Sequence, residues 1–165
     1  MTRIDPKASV LFVCMGNICR SPTAHAVFRH RLRQAGLEGV VAVDSAGTHD
    51  YHVGSAPDRR AREAASGRGY DLSDLRARRV EADDLAAHDY VLAMDAANLA
   101  VLESLGRSAG GAAEIGLLLD YADTPGGRDV PDPYYGGANG FEEVLDLVEA
   151  ASEGLLRHIR ARHGI

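Results

Sequence analysis

A cysteine, an asparagine and an arginine are crowded into one stretch near the start of the chain, Cys14-Met15-Gly16-Asn17-Ile18-Cys19-Arg20-Ser21-Pro22, directly after the apolar run Val10-Leu11-Phe12-Val13. An apolar run, a Gly/Asn turn and a Ser-Pro ahead of helix-spaced Ala24, Val27, Phe28 and Leu32 read as a strand, a tight loop and a helix start. Backbone N–H groups of such a loop converge, the helix dipole adds positive potential, and an arginine supplies a planar fork matched to phosphate oxygens. The pattern describes an oxyanion cradle of Met15, Gly16, Asn17, Ile18, Cys19 and Ser21, clamped by Arg20, with the Cys14 sulfur beneath it. The same field favours the ionised sulfur, the form that attacks phosphorus. Cysteine and arginine at this spacing are a weak signal alone, and the bland alternative makes Cys14 a buried strand-end thiol and Arg20 an ordinary helix residue. The context carries the chemical reading.

Cleaving a phosphate ester also calls for an acid at the leaving oxygen. Asp132 fits, in Val130-Pro131-Asp132-Pro133-Tyr134-Tyr135-Gly136-Gly137, where two prolines stiffen the loop and two glycines permit a sharp turn. Once ionised, the same carboxylate could activate water as a base. Without the cysteine loop this segment would be no more than a turn. Tyr134 and Tyr135 beside the acid, Tyr51 in His49-Asp50-Tyr51-His52-Val53-Gly54, and Ile18 could wall an apolar slot for an aromatic ring. A deep slot suits phosphotyrosine, whose phosphate stands farther from the backbone than that of phosphoserine.

These residues need a frame. Periodicity predicts strands over about 8–13, 40–44, 89–93 and 115–119, and helices over about 21–35, 56–68, 96–105 and 140–162, with a shorter helix near 81–86. Strands alternating with helices mean a parallel sheet with right-handed crossovers. The fold class is therefore α/β: a three-layer sandwich with a central four-stranded parallel sheet, helices on both faces and the phosphate loop after the first strand. Phe141, Val144, Leu145, Val148, Ala151, Leu155 and Ile159 mark the core face of the last helix. Gly106 to Ala113 and Thr124-Pro125-Gly126-Gly127 read as surface loops.

The 165 residues suit a single domain over 1–165 with a core that needs no metal or disulfide staple. No apolar run approaches the roughly 20 residues of a membrane span, and the first residues lack a signal-peptide core, so a cytoplasmic protein without membrane insertion is expected. Both cysteines lie in one loop, which suits reactive thiols in a reducing compartment. A net charge of −6 argues against a nucleic-acid partner, and Arg76-Ala77-Arg78-Arg79 reads mainly as a solvated face. The pair His49 and His52 is a weak metal signal, and no metal or cofactor is expected.

The loop from Cys14 to Pro22 resembles the signature loop of the low-molecular-weight protein tyrosine phosphatases. Asp44-Ser45-Ala46-Gly47-Thr48 resembles their second-strand motif, and Asp132-Pro133-Tyr134-Tyr135-Gly136 their general-acid loop, in the same order. The resemblance implies a cysteinyl-phosphate intermediate on Cys14, a phosphate clamp in Arg20 and an acid/base in Asp132. It implies that Ser21 hydrogen-bonds the thiolate, that Asn17 holds a left-handed conformation, and that Ser45 supports Asn17. It further implies that Cys19 can form a reversible disulfide with Cys14, making the protein redox-sensitive. Ile at position 18 goes with phosphotyrosine in this family, and Thr there with phosphoarginine. The implied partner is a phosphotyrosine-containing protein, a tyrosine kinase being one candidate, met by a monomer or weak dimer.

Two positions depart from the family pattern. Leu75 stands where many relatives carry a histidine, which leaves open what supports the Asn17 loop, and His25 stands where relatives often have glutamate. Three rival readings are a phosphoarginine phosphatase, an arsenate reductase-like oxidoreductase and a non-catalytic phosphotyrosine-binding protein. The reductase reading needs further cysteines, and none follows Cys19. The binding reading leaves the presence of both Cys14 and Asp132 without a purpose.

Overall fold

Every residue of the first strand, β1 (Ala8–Cys14), is buried, and its alternation divides it between two cores: Val10 and Phe12 join one apolar cluster, Leu11 and Val13 the other. A strand buried on both faces belongs in the middle of a doubly covered sheet. In the computed structural model, which describes residues 5–109, 113–123, 129–134 and 139–165, β1 pairs in parallel with β2 (Val41–Gly47) on one side and β3 (Tyr90–Ala93) on the other. A fourth parallel strand, β4 (Glu114–Leu117), completes the order β2-β1-β3-β4.

Helices cover both faces, as the alternating pattern predicts. Arg20–Gln34 (α1), Arg59–Ser66 (α2) and Asn139–His163 (α5) supply Phe28, Ala61 and Val148 to the cluster that holds Phe12. Ala82–Ala87 (α3) and Ala96–Ala109 (α4) supply Leu85 and Leu102 to the opposite one. The chain leaves β1 toward β2 and then crosses to β3 on the far side. That reversal opens a crevice at the carboxyl end of β1, where open α/β sheets bind ligands. Cys14 is the last residue of that strand.

Boundaries moved where tertiary contacts outweighed propensity. β2 runs on to Gly47 because Ser45, Ala46 and Gly47 pair with Phe12, Val13 and Cys14, although Ser, Ala and Gly are poor strand formers. α2 is shorter than expected: Asp58 caps it, Oδ1 accepting from Arg60 N at 2.8 Å. The loop expected from Gly106 is instead the last turn of α4, with residues 110–112 outside the described set. Glycine suits that turn because a methyl group at 106 would sit 2.8 Å from Cδ1 of Ile115. β4 stops at Leu117 and gives way to a 3-10 turn, Leu118–Tyr121. α5 lies so close to this turn that a Cβ at Gly154 would fall 1.7 Å from the Tyr121 carbonyl oxygen. The turn expected over Thr124-Pro125-Gly126-Gly127 lies outside the described residues. Among the described residues no helix is long and apolar enough to cross a membrane.

Candidate active site

The end of β2 fastens the loop that follows Cys14. Thr48 N donates to the Cys14 carbonyl at 2.9 Å and His49 N to the Met15 carbonyl at 3.0 Å. This approach demands glycine at 47, where a Cβ would meet Met15 O at 2.7 Å and Asn17 N at 3.1 Å. Asn17 adopts the left-handed conformation, with φ at 55°, which asparagine tolerates better than most residues. Gly16 does not share it. Glycine is favoured there by His52, whose Cδ2 would lie 3.0 Å from a Cβ.

The Cys14 sulfur, on a residue 2% exposed, lies on the floor of the loop. Asn17 N donates to it at 3.3 Å, and the Ser21 hydroxyl lies 3.0 Å away. Ser21 also accepts from Asn17 Nδ2 at 2.8 Å and approaches the Ala46 carbonyl at 3.3 Å. A hydroxyl has one proton, and with its oxygen already accepting from Asn17 that proton goes either to sulfur or to the carbonyl. An ionised sulfur is the stronger acceptor and takes it. Asn17 Oδ1 in turn accepts from Arg78 N at 3.1 Å. This backbone donor supports the loop, the support that Leu75 left open in the sequence. Arg78 is itself held by Asp44 at 2.9 Å and Asp84 at 3.0 Å, so one member of the arginine cluster is half-buried and fixed by two carboxylates rather than free in solvent.

Arg20 opens α1 and is 3% exposed. Nη1 donates to Asp95 Oδ2 at 2.6 Å and to the Val130 carbonyl at 3.0 Å, and Nη2 stands 3.6 Å from Asp132 Oδ2. Burial opposes its charge, yet the charges of Cys14, Asp95 and Asp132 hold its pKa above the ordinary arginine value. Asp132 remains one-third exposed, with Oδ1 accepting from Tyr134 N at 3.1 Å.

Above Cys14 opens a cleft of about 300 Å³. Met15, Gly16, Ile18, Cys19 and Arg20 from the loop line it, together with Tyr51, His52, Asp132 and Tyr134 from the segments around it. Tyr51 is 71% exposed and stacks on His49 with ring centroids 5.2 Å apart. The two histidines thus do separate work, His49 beneath Tyr51 and His52 against Gly16. Tyr135, expected beside Tyr134, lies outside the described residues, as do Gly136 and Gly137.

One sequence expectation changes in detail. The Ser45 hydroxyl, expected to support Asn17, meets Nδ1 of His25 at 3.1 Å instead, because α1 lays His25 over β2. His25 is buried, and burial with the Arg29 charge pulls its pKa down to about 4, so it stays neutral near pH 7. Cys19 is buried and unpaired, and its thiol is pushed well up by burial first and then by the charges of Asp58, Cys14 and Asp132.

Sequence reasoning missed Asp95 and the contacts that Gly47 and Arg78 make with the loop. Asp95 had one local signal, an acceptor three residues ahead of Asn98, whose backbone N–H it caps at 2.8 Å.

A cysteine at a strand end, a buried arginine and a carboxylate thus meet at one cleft, and comparison with known proteins gives the family in which they do so. Residues 9–163 match the family model described as low molecular weight phosphotyrosine protein phosphatase. A low molecular weight protein-tyrosine-phosphatase of Streptomyces coelicolor is 48% identical over 153 residues, covering 92% of this chain and 93% of that protein. The crystal structure of YfkJ from Bacillus subtilis superposes with a TM-score of 0.89 at 41% identity, covering 98% of this chain and 99% of the other. A Drosophila arginine phosphatase superposes with a TM-score of 0.87 at 32% identity, covering 92% and 97%. The chain belongs to the low molecular weight phosphotyrosine protein phosphatase family, a family of hydrolases acting on phosphate monoesters.

Proposed function

We propose that this protein hydrolyses phosphotyrosine in protein substrates by two in-line transfers at the phosphorus. In the first, the Cys14 sulfur forms a bond to phosphorus while the bond to the tyrosyl oxygen breaks, and Asp132 delivers its proton to that oxygen. In the second, water gives a proton to the Asp132 carboxylate and bonds to phosphorus as the sulfur departs. The Ser21 hydroxyl, 3.0 Å from the sulfur, stabilises it as it leaves. Arg20 binds two non-bridging oxygens and follows them toward the trigonal transition state, together with the loop N–H groups. To do so it exchanges part of its contact with Val130 and Asp132 for the phosphate.

The observation that carries this reading is the meeting of three elements at one cleft: Cys14 from β1, Arg20 from α1 and Asp132 from the loop before α5. Tyr51, Tyr134 and Ile18 supply the apolar walls that favour an aryl phosphate. The finer parts of the proposal are a phosphotyrosine protein as partner, a tyrosine kinase being one candidate, a cytoplasmic setting, and oxidation of Cys14 reversed through Cys19.

The test is hydrolysis of matched phosphotyrosine, phosphoserine and phosphoarginine peptides, with Cys14→Ser as control. Phosphotyrosine should be preferred and the variant inert. A preference for phosphoarginine would move the chain to the specificity named for the Drosophila neighbour, and turnover by Cys14→Ser within a hundredfold of wild type would remove the nucleophile.

A further inference from the structure

Arg60, the second residue of α2, has no part in the chemistry above, yet it touches the acid loop and the phosphate cradle's support at once. Its Nη2 donates to the Tyr134 carbonyl at 3.0 Å. Its Nε and Nη2 grip both oxygens of Asp58, each at 3.1 Å. The guanidinium carbon stands 4.8 Å from the ring centroid of Phe141 and 5.6 Å from that of Tyr134. Asp58 N donates to the Ile18 carbonyl at 2.8 Å, and Tyr134 N donates to Asp132 Oδ1 at 3.1 Å. A continuous path therefore runs from the phosphate loop through Asp58 and Arg60 to Tyr134 and the Asp132 carboxyl.

We propose that Arg60 is a positioning residue for the general acid: by fixing the Tyr134 carbonyl relative to Ile18, it sets the distance between the Asp132 carboxyl and the bound phosphate. The inference rests on the reading of Asp132 as the acid. Burial works against the Asp58 charge, yet the hydrogen bonds from Arg60 hold its carboxyl below the ordinary range, which keeps the pair charged and its fork geometry fixed. The side chain is 46% exposed, so core filling does not account for it. A guanidinium can use its edge on a carboxylate and a carbonyl while its face covers two rings; an ammonium cannot do all of this at once.

The experiment uses aryl phosphates whose phenols run from strongly to weakly acidic, with kcat/KM as the readout because it reports phosphoenzyme formation. Asp132→Asn, Arg60→Met and Arg60→Lys are compared with wild type, folding being checked by circular dichroism. Arg60→Met should lose roughly tenfold on the weakly acidic phenol, a fraction of the 10²–10⁴ that an acid supplies, and little on the strongly acidic one. Arg60→Lys, which keeps the charge but not the fork, should fall between. An equal loss across the series would leave Arg60 a support for the tyrosine wall and overturn the proposal, as would no loss. A flat series for Asp132→Asn itself would overturn the acid reading and this inference with it.

Discussion

Nη1 of Arg20 and Oδ2 of Asp95 form a 2.6 Å ion pair between the first turn of α1 and the carboxyl end of β3. The other oxygen of Asp95 caps α4 through Asn98 N. One carboxylate thus starts a helix and holds Arg20. The other nitrogen of Arg20 stands 3.6 Å from Asp132, so the guanidinium lies between two carboxylates.

Replacing Asp95 by Asn keeps a cap acceptor and removes the charge. A charge-assisted hydrogen bond contributes about 1.5–3 kcal/mol, so kcat/KM for an aryl phosphate should fall by roughly 10–100-fold if orientation of Arg20 is what is lost. The thermal midpoint should fall by several degrees as well, because the same bond to the buried Arg20 is lost in the folded protein. An unchanged kcat/KM would show that Arg20 finds its pose without Asp95.

Gly47→Ala tests the fastening of the cradle. The added methyl meets the Met15 carbonyl and the Asn17 N–H, both backbone and neither free to yield. Inhibition by inorganic phosphate and kcat should weaken together, each by about tenfold or more, alongside a stability loss of about 1–3 kcal/mol. Both constants are measured well below the melting temperature of the variant. Retained phosphate affinity would mean that the loop relaxes without losing its donors.

Oxidation of Cys14 by peroxide to the sulfenic acid should be followed by attack of Cys19 sulfur, giving a disulfide and water. Because burial and nearby carboxylates hold the Cys19 thiol protonated, closure should be slow near pH 7 and should quicken as pH rises. Mass spectrometry of quenched samples follows the disulfide, and dithiothreitol recovery of Cys19→Ser should be poorer than that of wild type. Absence of the disulfide, or equal recovery, argues that Cys19 only packs the loop, and a closure rate independent of pH would show that its protonation does not limit the step.

His25 gives stability a pH dependence with a definite sign. Its folded pKa is about 4 against an ordinary value of 6.5. Above pH 6.5 both folded and unfolded forms are neutral and the group contributes nothing pH-dependent. As pH falls from 6.5 through 4, the unfolded chain takes a proton that the folded one refuses, so stability is progressively lost. The loss reaches about 3 kcal/mol below the folded pKa, most of it by pH 4.5. Urea unfolding at pH 7 and pH 4.5 should therefore show a larger drop for wild type than for His25→Gln, and equal drops would place His25 in contact with water.

The central strand, the last helix and the phosphate loop were legible because their signals are local. Val10 to Val13 are apolar in succession, α5 keeps one buried face over its length, and Asn17 is a residue type suited to the left-handed turn it makes. What stayed hidden depends on which strands are neighbours. Asp95 reads as a helix cap, and only the placement of β3 beside β1 brings its other oxygen to Arg20. His25 and Ser45 meet because α1 crosses β2, and Arg78 reaches Asn17 because residues 77–80 run beside the end of that strand. Gly106 reads as a loop residue, since the side chain that a methyl group there would crowd, Ile115, lies in another element.

The nucleophile and the acid are secured by different amounts of structure. Cys14 is paired with Gly47 at the end of a ladder that can open only with the sheet. The tethers of the acid segment include Val130 N to the Met94 carbonyl, Arg20 to the Val130 carbonyl and to Asp132, Ala96 N to Asp129 and Arg60 to the Tyr134 carbonyl, side-chain contacts for the most part rather than a strand ladder. Local opening costs less free energy than global unfolding where few bonds cross a boundary, so amide exchange should be faster in the acid segment than in β1. Molecules caught in that opened state still grip phosphate but release an aryl group slowly. Mild heat or dilute urea therefore separates the two abilities, and turnover declines while oxyanion affinity persists.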